Sequence, residues 1–162
     1  MTKPFLFPTL LIALVFISPG LQCQQLTIQT DSGKQVVLNR ADIEGLPHIK
    51  AAVAEHSGGP VTFEGVTVKS VLDKAGITFG ESLKGKRLSS CLLVEAADGY
   101  RIVIALPELD PAFTDKQTLL VFLRDGHALG EKEGPYRIVI PDEKRMARWV
   151  RQVTKFRIAE VQ

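Results

Sequence analysis

The chain has 162 residues, 45% of them hydrophobic, 7% aromatic and 23% charged, with 20 Lys and Arg against 18 Asp and Glu. That length suits a single domain, the apolar content excludes a disordered chain, and two cysteines exclude a disulfide-stapled miniprotein. The near balance of charge excludes a global field of the kind that draws a protein to nucleic acid or to a membrane surface.

Residues 1–23 read as a secretory signal peptide. Lys3 gives a positive start, Phe5 to Ile17 is apolar apart from Pro8 and Thr9, and the small, turn-prone Ser18-Pro19-Gly20 follows. A membrane anchor is the competing reading, but the apolar run is shorter than the ~20 residues of a spanning helix and has no stop-transfer charges. Cleavage is expected after Gly20 or after Cys23. Acylation of Cys23 is a further alternative, disfavoured because Gln22 stands where a lipoprotein signal has a small residue. With no Arg-Arg pair ahead of the apolar run, twin-arginine export is not indicated. The sequence therefore predicts a signal peptide over 1–23 and one domain over 24–162, in the periplasm or secreted. Cleavage after Cys23 leaves Cys91 as the sole thiol, so no intramolecular disulfide can form.

In chain order, Gln25 to Thr30 alternates polar and apolar as a half-buried strand does. Asp31-Ser32-Gly33-Lys34 is a turn, and Gln35 to Leu38 returns as the second strand of a hairpin. Asn39 or Asp42 is placed to cap a short helix before Gly45, and His48 to Ala54 is a further short strand. Val61 to Phe63 is extended, and Glu64-Gly65 is expected to turn the chain. Thr67 to Gly76 is the best helix, with Val68, Val71, Leu72 and Ala75 on one face and Gly76 as its stop. Leu92 to Ala96 and Arg101 to Ala105 flank Asp98-Gly99, a strong hairpin signal, and Leu119 to Leu123 before Asp125-Gly126 repeats it. Tyr136 to Ile140 is a buried strand, Asp142 to Met146 a helical turn, and Thr154 to Val161 the last strand. Many short strands with few helices predict a single compact α+β domain, mostly β.

Three segments in fixed order carry a resemblance. They are Phe63-Glu64-Gly65-Val66 with Val71-Leu72 and Ala75-Gly76; Asp98-Gly99-Tyr100; and Asp125-Gly126 with Leu129, Gly134-Pro135, Arg137-Ile138-Val139, Pro141, Lys144 and Arg148-Trp149-Val150. Together they resemble the molybdopterin-binding domain of the sulfite-oxidase-type oxidoreductases. The likeness spans nearly all of residues 24–162. It implies that family's compact, largely β fold. It also implies a site at which a molybdenum centre, held by a pterin dithiolene and one cysteine thiolate, transfers an oxygen atom. Thiolate suits that metal because it is soft, and basic side chains suit the cofactor's phosphate.

Carried over residue by residue, the resemblance makes Arg137 the phosphate-side arginine. Lys132 falls where the family has a histidine, and Arg148 where it has the lysine before the tryptophan; Arg for Lys alters contact geometry. Lys144 and His56 complete the expected cofactor-side set. The metal-binding cysteine should lie around Ala51 to His56, and this stretch has none. Cys91, at the head of an apolar strand, reads as a small packing residue. His48, His56 and His127 lack short metal-ligand spacing, so no metal ligand and no catalytic residue is assigned. From Arg137 to Arg157 seven basic residues face Asp142 and Glu143, a local excess that suits an anionic ligand. The expected function is an exported binding module for an anionic small molecule or a periplasmic protein, without molybdenum. The alternative is a molybdenum-cofactor oxidoreductase with an unusual ligand set.

Overall fold

A computed structural model of the chain describes residues 24–54 and 58–160; the predicted signal peptide and His56 lie outside the described residues. The first hairpin forms as expected, β1 (Gln25–Gln29) pairing antiparallel with β2 (Gln35–Asn39). Asn39 then caps α1 (Arg40–Glu44). Its side chain accepts from the Asp42 N–H while the Asp42 carboxylate accepts from the Asn39 N–H, both at 3.0 Å. This reciprocal pair satisfies two of the backbone donors that a helix start leaves over.

The strand β3 (Ile49–Ala54) pairs antiparallel with β4 (Pro60–Thr67). Here one expectation fails. Glu64-Gly65 does not turn the chain; β4 runs straight through it, with a register irregularity against β7 (Leu119–Arg124) between these two residues. The reason for the glycine is proximity. A Cβ on Gly65 would lie 2.2 Å from the Leu120 carbonyl oxygen, so only a residue without a side chain lets the two backbones close.

Thr67 caps α2 (Val68–Lys74) by accepting from the Ser70 N–H, and Val68, Val71 and Leu72 form its buried face. Gly76, at φ +87°, carries the left-handed turn that ends it. The hairpin of β5 (Ser90–Ala96) and β6 (Arg101–Ala105) also forms as read. After it, the buried Asp110 carboxylate accepts from the backbone N–H groups of Ala112 and Gly80, which lowers its pKa. Beyond β7, Asp125 and Gly126 both take positive φ and lead into β8 (His127–Ala128). Then come β9 (Arg137–Val139) and β10 (Val153–Glu160). The helical turn expected over Asp142 to Met146 sits later, as a 3-10 turn at Met146–Arg148. Its register is set by Trp149, whose indole N–H donates to the Ile140 carbonyl at 3.1 Å.

The strands form two five-stranded sheets. One runs β2-β1-β10-β5-β6, with β1 and β10 parallel; the other runs β3-β4-β7-β8, with β9 also on β7. One continuous core takes Leu26, Ile28, Leu92, Val94 and Phe156 from the first sheet and Phe63, Val66, Leu120 and Ile138 from the second. Cys91 is buried but lies outside this cluster. It pairs with Ala105 and Ala159 in the row facing away from the core, whereas its neighbour Leu92 faces in. No helix among the described residues is long and apolar enough to cross a membrane.

His48 ties the start of β3 to both neighbours. Its Nδ1 lies 2.9 Å from Glu64 Oε1, and its Nε2 lies 2.8 Å from the Glu44 carbonyl oxygen. With two acceptors, the ring is best satisfied as imidazolium, and the Glu64 bond raises its pKa above 6.5. The folded pKa is the higher one, so the contact contributes fully below the unfolded value and is lost as pH rises through the raised value. Between about pH 6 and pH 8, the melting temperature of the wild type should fall relative to His48→Gln, which has no titrating ring; parallel curves for the two proteins would contradict this.

Candidate functional site

The Gly134-Pro135-Tyr136-Arg137 segment, singled out in the sequence, is fixed by its neighbours on both sides. In β9, Arg137 pairs with Val121 of β7, and the Ile138 N–H donates to the Val150 carbonyl at 2.7 Å. The Val153 N–H donates to Tyr136, and the Gln152 N–H to Glu133. These bonds lay residues 149–153 alongside residues 133–140 and bring Trp149 over the arginine.

Arg137 is 2% exposed. Its Nη1 donates to Glu133 Oε1 at 2.6 Å, an i,i+4 pair across the turn. The guanidinium carbon stands 5.0 Å from the Phe63 ring centroid and 5.5 Å from that of Trp149, whose rings meet edge to face at 6.2 Å. Cation–π attraction and a charge-assisted hydrogen bond therefore act together on a nearly dehydrated charge. Glu133 is shared. Arg124 Nη1 reaches both its oxygens at 3.3 Å, and Arg151 Nε lies 3.9 Å from Oε1. Arg124 also stands over Phe63, at 5.7 Å. Three guanidiniums thus converge on one carboxylate beside two aromatic rings.

Arg148 belongs to a different cluster. Its Nε donates to Glu143 Oε1 at 2.7 Å, Nη2 bonds the same oxygen, and Nη1 reaches Glu108 Oε2 at 3.3 Å. The Glu143 bond raises its already high pKa. Tyr100 donates to the Ala147 carbonyl at 2.7 Å and ties the same turn down. Lys132 and Lys144 are exposed, one in the loop before Arg137 and one in the turn before Arg148. The structure thus places Arg137 in the interior, Arg148 half-buried in a separate ion cluster, and Lys132 and Lys144 at the surface.

Glu133 and Arg124 went unread in the sequence. The basic count began at Arg137 and so stopped four residues short of the carboxylate that holds it. The i,i+4 spacing of Glu133 and Arg137 was the available signal, but with Gly134-Pro135 between them it did not suggest a helix face. Arg124 meets the others only through the β4–β7–β9 pairing. Among the described residues, no group of three or more His, Cys, Asp and Glu is arranged to hold a metal ion.

No protein-family model and no curated protein matches the chain. Among solved structures, the sulfane dehydrogenase SoxCD from Paracoccus pantotrophus is similar, with TM-score 0.62 and 19% sequence identity over 83% of this chain. The fold is of the sulfite-oxidase type. This chain spans 37% of the length of that one, and at such identity the likeness concerns the fold alone.

The two clusters should respond differently to truncation. Glu133→Ala removes the carboxylate from a buried guanidinium and should cost about 3–5 kcal/mol in denaturant unfolding. Arg148→Ala breaks a pair that is one-third exposed and should cost about 1 kcal/mol or less. Equal losses would contradict this division between interior and surface.

Proposed function

We propose that this chain is an exported binding module of sulfite-oxidase-type fold. It recognises an anionic group, on a small molecule or on a periplasmic partner protein, over the stretch from Lys132 to Arg151. The observation that carries this reading is the convergence of Arg124, Arg137 and Arg151 on Glu133. Guanidiniums set around one carboxylate, with aromatic walls behind them, form an environment suited to planar or tetrahedral oxyanions. Arg137 supplies a fixed interior charge. Arg151, 59% exposed, and the exposed Lys132, next in sequence to Glu133, supply the contacts an exchangeable anion can reach.

A molybdenum centre is a poor fit to these residues. Arg137 is of the right type to hold a pterin phosphate, but its Nη1 already donates to Glu133. Among the described residues the soft thiolate has no candidate near Arg137. Cys91 lies in β5 of the other sheet and faces away from the core, and the β3 stretch Ala51 to Ala54 is made of small apolar residues. The competing reading, a molybdenum-cofactor oxidoreductase with an unusual ligand set, draws on the name of the sulfane dehydrogenase and not on a donor set among the described residues.

Thermal unfolding in phosphate, sulfate or sulfite, at ionic strength matched with chloride, tests the proposal. A hundredfold excess over Kd stabilises by about 2.7 kcal/mol, so the wild type should gain several degrees with at least one anion. Arg151→Ala and Lys132→Ala should lose most of that gain while melting near the wild type without anion. Arg137→Ala is unsuitable for this test, because it empties an interior position and should itself unfold readily. No gain with any of the three anions would overturn the reading.

A further inference from the structure

The first sheet ends on an open strand. Among the described residues β6 is its last member, paired to β5 on one side and to no strand on the other. The hairpin fixes which backbone groups face the open side. The Ala96 N–H donates to the Tyr100 carbonyl at 2.9 Å, and hydrogen-bonded pairs alternate from there, Val94 with Ile102 and Leu92 with Ile104. Arg101, Val103 and Ala105 therefore turn their N–H and C=O groups outward. For Ala105 this is seen directly, because its N–H donates to Glu108 Oε1 at 3.2 Å. The N–H groups of Arg101 and Val103 have no partner among the described residues. Their side chains stand on the outer face of the sheet, Val103 54% exposed and Arg101 61%.

Unpaired edge backbone invites another strand, and edges are commonly protected by a proline, a bulge or an inward-pointing charge. β6 has none of these. Its five residues pair with β5 without a register shift, and the two that point inward are Ile102 and Ile104.

We propose that β6 pairs antiparallel with β6 of a second copy, about a two-fold axis through Ile102. In this register Arg101 and Val103 of one copy face Val103 and Arg101 of the other, and the outward groups form four hydrogen bonds. Ala105 then lies opposite Gly99 of the other copy. Glycine has no side chain to strike Glu108, so the cap on Ala105 stays in place. The charges match as well. Arg101 is opposite Val103 of the other copy and diagonal to Ala105, within reach for a long side chain. Its methylene stem can cover the exposed valine while its guanidinium meets the Glu108 carboxylate. Within one copy Arg101 reaches Glu95 at 3.9 Å. Glu108 is half exposed, and its second oxygen lies 3.3 Å from Arg148, which is held more closely by Glu143.

β2, the other edge of the same sheet, lacks this match. The equivalent register, centred on Val36, has Asp42 capping Asn39 as Glu108 caps Ala105, but the residue that would reach it is the uncharged Gln35. Pairing over so few residues buries less than the ~1,200 Å² of a standard interface, so the dimer is weak and concentration-dependent.

Sedimentation velocity on the purified protein, from about 10 µM to about 1 mM, covers the range in which interfaces this small dissociate. The sedimenting mass should rise toward twice that of the chain, and the Arg101 and Val103 amides should exchange more slowly at the high end. Val103→Lys, at an exposed position, should stay folded and remain monomeric throughout. Val37→Lys, the matching change on β2, should dimerise like the wild type. Glu108→Gln keeps the cap and drops the charge. It and Arg101→Gln should each weaken the dimer roughly three- to ten-fold, the scale of two exposed ion pairs, and the double variant no further. The proposal is overturned by a monomer at every concentration, by a dimer that survives Val103→Lys or is lost in Val37→Lys, or by additive effects of Arg101→Gln and Glu108→Gln. Arg101, Val103 and Ala105 lie outside the Lys132 to Arg151 stretch, so failure here leaves the anion reading standing, and the reverse is equally true.

Discussion

A positive charge in the interior of a small domain has to be held by something, and the arrangement around Arg137 is the constraint from which the rest of this molecule can be understood. Removing a guanidinium from water is costly, and one carboxylate alone offsets that incompletely. Here Glu133, Phe63 and Trp149 act together. Each comes from a different part of the chain: the loop before β9, the middle of β4 and the segment before β10. Holding one charge therefore fixes how three segments meet. The backbone bonds of Ile138, Gln152 and Val153 repeat that connection on the main chain.

The same arrangement explains what Gly65 does. β4 must approach β7 closely for Phe63 and the β9 arginine to meet across β7, and any Cβ at position 65 would strike the Leu120 carbonyl. In the register, Gly65, Val121 and Arg137 stand in one row across three strands. A glycine within a strand ordinarily weakens it; here the closeness it permits offsets the entropy it costs. The loop 129–135 supplies Glu133 to the guanidinium cluster and presents Glu131 at the surface. Gln152 donates to both residues' carbonyls and ties that loop to the start of β10.

Much of this was legible in the sequence because local rules decide it. The alternation in Gln25 to Thr30, the Asp98-Gly99 and Asp125-Gly126 turns, the Asn39 cap and the spaced apolar face of α2 all depend on residues a few positions apart. The errors arose where distant backbone decides. Glu64-Gly65 has the composition of a turn, and its role as a close crossing depends on β7, more than fifty residues later. The 3-10 turn falls at Met146–Arg148 because Trp149 is tied back to Ile140, a contact no propensity encodes. For the site, the type of Arg137 was readable from Gly-Pro-x-Arg, whereas its burial and its partners were not. A stretch rich in Lys and Arg reads as a surface until Glu133 and two aromatic rings are placed beside one of its members.

We propose that the sulfite-oxidase-type fold serves here as the scaffold of an anion site and holds no thiolate-bound metal. The decisive quantity is the metal and pterin content of the full chain, made in a host that synthesises the molybdenum cofactor and purified without chelators. Molybdenum should be far below one atom per chain, with no released pterin. One molybdenum per chain, with pterin in equal amount, would contradict it.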